Sequence, residues 1–322
     1  MQDSRLVATR VLDRLVRTEP LGSSGASGSA LERGWLEDGS TVVIKHADAR
    51  QDWIMQATGD DGRIAALWAD GIFARVPPAV DHAMLDVEPG PGGAVVVMRD
   101  VSPQLFADAP PTADERQVLL GAATALHAAL STAETAHLCP LAAYLTFLSP
   151  AACAPFAADH LVPRLAGEGW ARFHELADDD VSAAVTAVHD DPAQLAGALL
   201  ERPSTIVHGD LKLANLGVAG ARAVVLDWGT LTTWAPPAVD FAWYLAINAA
   251  ATGCSHDELL AEIRAAQGSR YDEQAQSLAL LGALAQLGWE KALGATSDDA
   301  AVAGRERAGL AWWSAAARTA LG

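Results

Sequence analysis

Three oxygen-bearing side chains stand at spacings that could do chemistry together. Asp210 and Asn215 lie five residues apart in the stretch Ile206 to Asn215, IVHGDLKLAN, and Asp227 follows in VVLDWG. Phosphoryl transfer asks for such a set: one carboxylate to orient an attacking hydroxyl, and two oxygen ligands to hold Mg²⁺ against the phosphates of ATP. Asp210 is the expected base, with Asn215 and Asp227 as the metal ligands, a donor number that suits Mg²⁺. Asp and Asn are also common turn residues, so a polar-capped hairpin is the plain alternative. A capped hairpin, however, calls for neither the five-residue gap nor the second Asp in DWG. Gly209 suits a tight turn beside Asp210, and His208 reads as a brace for that turn.

These residues need strands to carry them and a frame to hold the strands. Thr205 to His208 and Ala223 to Leu226 read as the two short strands around the motif. Ahead of them, residues 5–17 fit a short amphipathic helix. Two strands follow, joined by the Gly/Ser turn GSSGASGS (Gly22 to Ser29). A second turn at Asp38-Gly39 leads into a β-branched strand ending at Lys45. Residues 51–70 suit a helix, and two further strands, Ala79 to Leu85 and Ala94 to Met98, flank the turn-rich EPGPGG. The result is a small antiparallel sheet with one inserted helix over residues 1–100, and a hinge near 98–102. Past the connector Pro103 to Thr112, residues 103–322 are mostly helical, with helices expected at 113–131, 172–200, 238–251, 256–267 and 274–293. The fold class is α+β.

Composition narrows the partners. The chain has 322 residues, 51% of them hydrophobic, enough for a sizeable core. Lys plus Arg number 22 against 40 Asp plus Glu, a net charge of −18, which argues against nucleic acid or an anionic membrane as partner. Three scattered cysteines make neither a disulfide framework nor a metal-ligand spacing, so a reducing cytoplasm is the expected location. The N-terminal stretch lacks the apolar run of a signal peptide. Leu278 to Trp289 is too short for the ~20 residues that span a bilayer, so no membrane span is expected.

His208-Gly209-Asp210 with Asn215, Asp227-Trp228-Gly229, and Lys45 in a VVIK strand resemble the aminoglycoside phosphotransferase and choline kinase-like family of small-molecule kinases. That resemblance implies a bilobal protein-kinase-like fold, with ATP and Mg²⁺ as cofactors and a small-molecule hydroxyl as acceptor. It implies that Lys45 pairs with the α- and β-phosphates. Ser24, Gly25 and Ser27 would belong to the loop covering the nucleotide, unless GSSGASGS is only a flexible linker, and Met98 would stand at the hinge beside it. The catalytic loop is 206–215 and the metal-binding DWG is 227–229. Lys212 sits where protein kinases carry a catalytic-loop lysine, placed to neutralise γ-phosphate charge. Asp240 is expected to brace the catalytic loop from the next helix. After DWG the chain reaches Pro236-Pro237 and a helical pattern at once, leaving no room for a peptide-docking segment; no protein substrate is expected.

Besides Lys212, one further feature departs from the family pattern. Relatives pair the strand lysine with a Glu on the following helix, whereas residues 51–70 contain no Glu and Arg63-Ile64 stand in the matching place. Asp52, Asp60 or Asp61 is left as partner for Lys45. The gap also motivates a second reading, a nucleotide-binding pseudokinase or regulatory module without turnover; transfer of a nucleotidyl group is a third. Trp234, Trp243, Tyr244, Asn248, Trp289 and Glu290 are candidate acceptor linings. The acceptor itself (sugar, amino alcohol or antibiotic), the choice of ATP over GTP and the oligomeric state are open.

Overall fold

The structure is a computed structural model that describes residues 10–21, 27–106 and 109–321. Its first hundred residues build a five-stranded antiparallel sheet from β1 (Leu15–Leu21), β2 (Ala30–Leu36), β3 (Thr41–Asp48), β5 (Met84–Gly90) and β6 (Gly93–Arg99). The strand order is β1-β2-β3-β6-β5. β3 is central because its β-branched run suits a strand flanked on both sides. Its alternation buries Val42 and Ile44 against Leu36 and Val97 on one face. Lys45 therefore points to the other face, in register with Leu31 of β2 and Val96 of β6.

The N-terminal reading needs a correction. Residues 5–9 of the expected helix lie outside the described residues, and 10–17 form a 3₁₀ turn at Leu12–Arg14 followed directly by β1. Alternating charge and apolarity fits a period of two as well as 3.6 over so short a stretch, and pairing with β2 decides the outcome. Helix 51–70 is in fact two pieces, α1 (Trp53–Thr58) and α2 (Arg63–Ala69), broken where Gly59 and Gly62 take positive φ. The strand expected at 79–85 also divides. β4 (Val80–Asp81) leaves the large sheet to pair in parallel with β9 (Arg222–Val225), so the N-terminal half is stitched to the catalytic hairpin.

The remainder is helical around two small strand groups. β7 (Thr205–Val207) pairs with β10 (Thr233–Ala235), and β8 (Leu216–Ala219) forms a hairpin with β9. α3 (Ala113–Leu130) opens on a Thr112/Glu115 capping box and packs on β7 and β9. The stretch expected as one helix over 172–200 is α6 (Leu161–Leu176), α7 (Asp179–Asp190) and α8 (Pro192–Leu200). α9 (Ala238–Thr252), α10 (His256–Gln267) and α11 (Glu273–Ala295) lie where sequence placed them. Three helices went unforeseen: α4 (Leu141–Thr146), α5 (Pro150–Cys153) and α12 (Ala300–Leu321). One main hydrophobic core runs from Trp53 and Val96 through α9 and α11 to Trp313. No described helix is long and apolar enough to cross a membrane.

Candidate active site

The loop between β7 and the 3₁₀ turn Leu213–Asn215 carries His208 to Lys212, and the helix α9 grips it at successive points. Asp240, fully buried, accepts hydrogen bonds from the backbone N–H of His208 (2.8 Å) and of Gly209 (2.7 Å). A third reaches it from His127 Nε2 on α3, at 2.9 Å. Burial would raise the Asp240 carboxyl, but these donors, His127 first, hold it below its ordinary value. Trp243 Nε1 donates to Asp210 Oδ1 at 3.1 Å. Asn248 closes the set: its Oδ1 accepts from Leu213 N–H at 2.9 Å and its Nδ2 donates to Leu211 C=O at 2.8 Å. At 3.6 residues per turn Trp243 stands about 60° to one side of Asp240 and Asn248 about 80° to the other, so the three span a broad side of α9 turned to the loop. The chain direction of α9 follows the direction of the loop.

Gly209 shows why the loop has its sequence. Its φ is +85°, and a Cβ there would stand 2.2 Å from the Leu231 carbonyl oxygen. Only glycine fits. His208 braces the same turn. Its Nε2 donates to Leu226 C=O at 3.0 Å, and its Nδ1 accepts from Asp210 N–H at 3.1 Å. That pair of bonds selects the neutral Nε2–H tautomer. Burial of the ring lowers the His208 pKa, in keeping with that tautomer.

The expected chemical residues converge. Asp210 Oδ2 accepts from Lys212 Nζ (2.6 Å) and from Asn215 Nδ2 (2.9 Å), while Oδ1 takes only the Trp243 indole. The Asn215 amide nitrogen thus faces Asp210, which leaves its carbonyl oxygen as the end able to ligate a cation. Asp227 follows β9 with φ of +65°, a left-handed conformation rare outside glycine. It is held next to Asn215 by the hydrogen bond from Leu226 N–H to Asn215 C=O (2.8 Å). Asp227 and Asn215 make a sparse all-oxygen donor set, the kind that fits Mg²⁺ when phosphates complete the shell. Among the described residues no cluster of His, Cys, Asp and Glu offers a fuller metal cage.

Lys45 reaches across from the sheet and pairs with Asp227 itself. Burial alone would lower the lysine, but the Asp227 carboxylate outweighs it and the pKa rises. Burial would raise Asp227, yet Lys45 and then Lys212 drive it far below the ordinary carboxylate range. Lys212, lowered by burial and raised more by Asp210, also stays charged. Two ammonium groups and two carboxylates therefore neutralise one another in a partly buried site.

None of the three acids proposed for Lys45 forms an ion pair with it. Asp60 is committed to Arg63, through the 2.6 Å bond from its N–H and a 3.6 Å ion pair with its guanidinium. Asp61 is exposed. Asp52 caps α1, accepting from Ile54 N–H and Met55 N–H, and takes the Ser29 hydroxyl at 2.8 Å. It reaches Lys45 only through its field. The helix position where relatives carry the acid is filled by Ile64, which packs on Gly229 of DWG.

The remaining expected positions fall as follows. Ser24 and Gly25 lie outside the described residues. Ser27 sits at the exit of the Gly/Ser turn, where its C=O accepts from Trp53 N–H at 3.2 Å. Met98 lies near the end of β6, buried, in register with Val43. Trp243, Tyr244 and Asn248 are buried beneath the loop rather than displayed to an acceptor, and Trp289 is core. Sequence reasoning had named Trp243 and Asn248 for the wrong surface. Their periodicity with Asp240 was the signal that would have placed them.

Residues 19–286 match the model of the phosphotransferase enzyme family. No curated protein sequence matches the chain. Among solved structures, an aminoglycoside phosphotransferase from Alicyclobacillus acidocaldarius superposes with a TM-score of 0.52 at 13% identity, covering 99% of this chain and 96% of that one. The aminoglycoside phosphotransferase APH(3'')-Id from Streptomyces rimosus gives 0.50 at 18% identity, covering 84% and 92%. Amicoumacin kinase hAmiN, solved with AMP-PNP and Ca²⁺, gives 0.50 at 13%, covering 94% and 87%. At such identities the likeness shows the fold, which is the bilobal α+β fold expected.

Proposed function

We propose that this chain, which belongs to the phosphotransferase enzyme family, transfers the γ-phosphoryl group of ATP to a hydroxyl of a small molecule. The observation that carries the reading is the convergence of Asp210, Lys212, Asn215, Asp227 and Lys45 from four separate elements onto one point. Asp210 accepts and orients the acceptor hydroxyl, since positioning is most of what this reaction asks of a protein. Lys212 and Lys45 supply positive charge where the transferring group gathers negative charge. Asn215 and Asp227 would hold Mg²⁺, which would offset the negative charge of the phosphates. Ser27 and Met98 border the nucleotide on the sheet side, and Ser24 and Gly25, outside the described residues, are assigned to the same ligand.

The small-molecule acceptor follows from the short route between Gly229 and α9, where β10 returns the chain to β7 with no extended segment for a peptide. The test is ADP release across a panel of sugars, amino alcohols and aminoglycosides, with Asp210→Ala as control. Wild-type release that the variant lacks supports the reading; equal release by both excludes catalysis at this site. One observation favours a second reading, a nucleotide-binding module without turnover: Lys45 has no acid on α2 and occupies Asp227 instead. Thermal stabilisation by ATP-Mg²⁺ without ADP release from any acceptor would select that reading.

A further inference from the structure

The carboxylate of Asp210 has three donors, and they are not equivalent. Lys212 Nζ and Asn215 Nδ2 both bond to Oδ2, and both belong to side chains that ATP-Mg²⁺ recruits in the proposed reaction: the ammonium by phosphate, the amide by its carbonyl oxygen on the metal. The third is the Trp243 indole N–H on Oδ1 at 3.1 Å. It comes from α9, has no reason to move, and is 4% exposed. Its ring is fixed by Phe147 (centroids 6.0 Å, 36° between planes) and by Tyr144 (6.3 Å). Tyr144 in turn donates its hydroxyl to Gly209 C=O at 3.2 Å. The stack continues from Phe147 to Trp53 of α1 at 6.3 Å, so the ring that holds Asp210 is wedged from the N-terminal half as well.

We infer that Trp243 is the positioning residue for Asp210. Its N–H occupies one lone-pair direction of Oδ1 and turns the other toward the acceptor hydroxyl, and it keeps that orientation when Lys212 turns to the nucleotide. An indole offers a single donor and no acceptor, so Oδ1 is the acceptor in this contact. The inference rests on Asp210 as the base of the proposed reaction.

Trp243→Phe separates the donor from the ring, because phenylalanine keeps the stack on Phe147 and loses only the N–H. The expected result is a kcat for ADP release lowered about 10- to 100-fold, with the KM for ATP unchanged and Tm within about 3 °C. Phe147→Leu, which loosens the stack but keeps the indole, lowers kcat less. Equal losses in the two variants would assign the effect to packing and overturn the inference, as would a wild-type kcat in Trp243→Phe. A second measurement needs neither turnover nor that variant. In protein labelled with ¹⁵N at the indole nitrogens, Asp210→Asn should shift one indole N–H resonance upfield. If all of them superpose on wild type, the hydrogen bond is absent and the inference fails. Should wild type release no ADP with any compound of the panel, the phosphotransfer reading falls, and the indole spectrum still decides the contact.

Discussion

The two halves of the site are built differently. On the helical side α9 gives the loop fixed partners: Asp240 holds two backbone N–H groups, Asn248 a third N–H and a carbonyl, and Trp243 the carboxylate. On the sheet side Lys45 hangs on one contact, to the very carboxylate a metal would claim. The difference teaches that the half that orients the acceptor is organised before any ligand arrives, whereas the half that receives nucleotide is completed by it. Such a division suits a reaction whose rate depends on orientation.

Substitutions that strand the loop's buried backbone groups on the helical side should cost folding stability, and those on the sheet side should cost function alone. The largest expected effect is Asp240→Ala, which strands two buried N–H groups and His127; about 4 kcal/mol of unfolding free energy should be lost in urea titrations. Gly229→Ala tests the seam between the halves. At φ +114°, with its new Cβ 2.8 Å from that of Ile64, it should lose about 2 kcal/mol in the same assay. Lys45→Met should leave stability within about 1 kcal/mol, since its partner is more than a third exposed. The same variant should lower ADP release at least about tenfold. It should also bind Mn²⁺ more tightly than wild type without nucleotide, because the competing cation on Asp227 is gone; equal Mn²⁺ affinity would sink the competition.

The smallest effect is a pH slope. Burial depresses the His208 pKa below 6.5, so in acid the unfolded chain binds more protons than the folded one. The stability its neutral ring contributes is present above pH 6.5 and is lost as pH falls through the folded value. Melting temperatures between pH 7.5 and 5.5 should therefore fall more steeply in wild type than in His208→Gln. His82, His189 and His256 are lowered too, so both proteins slope and only the difference counts.

The chemical residues were legible because they are local. HGDLKLAN and DWG put the proposed base and metal ligands at the two ends of one hairpin, and nothing distant was needed to see them. The residues that hold them were half visible. Asp240 drew notice as an acid at a helix start, but Trp243 and Asn248 were taken for acceptor linings, since residue type does not tell which way a helix face turns. The lysine partner was unreadable for another reason. Asp52 and Asp60 sit near it in sequence, yet local caps and Arg63 consume both, and the true partner lies 182 residues away. In the fold, Ala-rich α12 and short α4 escaped because weak periodicity marks neither, and the start of β1, Leu15 to Arg17, hid inside a pattern that two periods share.

The most direct measurement is the ³¹P spectrum of ATP-Mg²⁺ incubated with the protein and the compound panel. The expected result is loss of the γ-phosphate resonance with growth of ADP and a new phosphomonoester, absent in Asp210→Ala. Appearance of pyrophosphate and a phosphodiester, or a phosphomonoester formed equally by Asp210→Ala, would contradict phosphoryl transfer to a hydroxyl at this site.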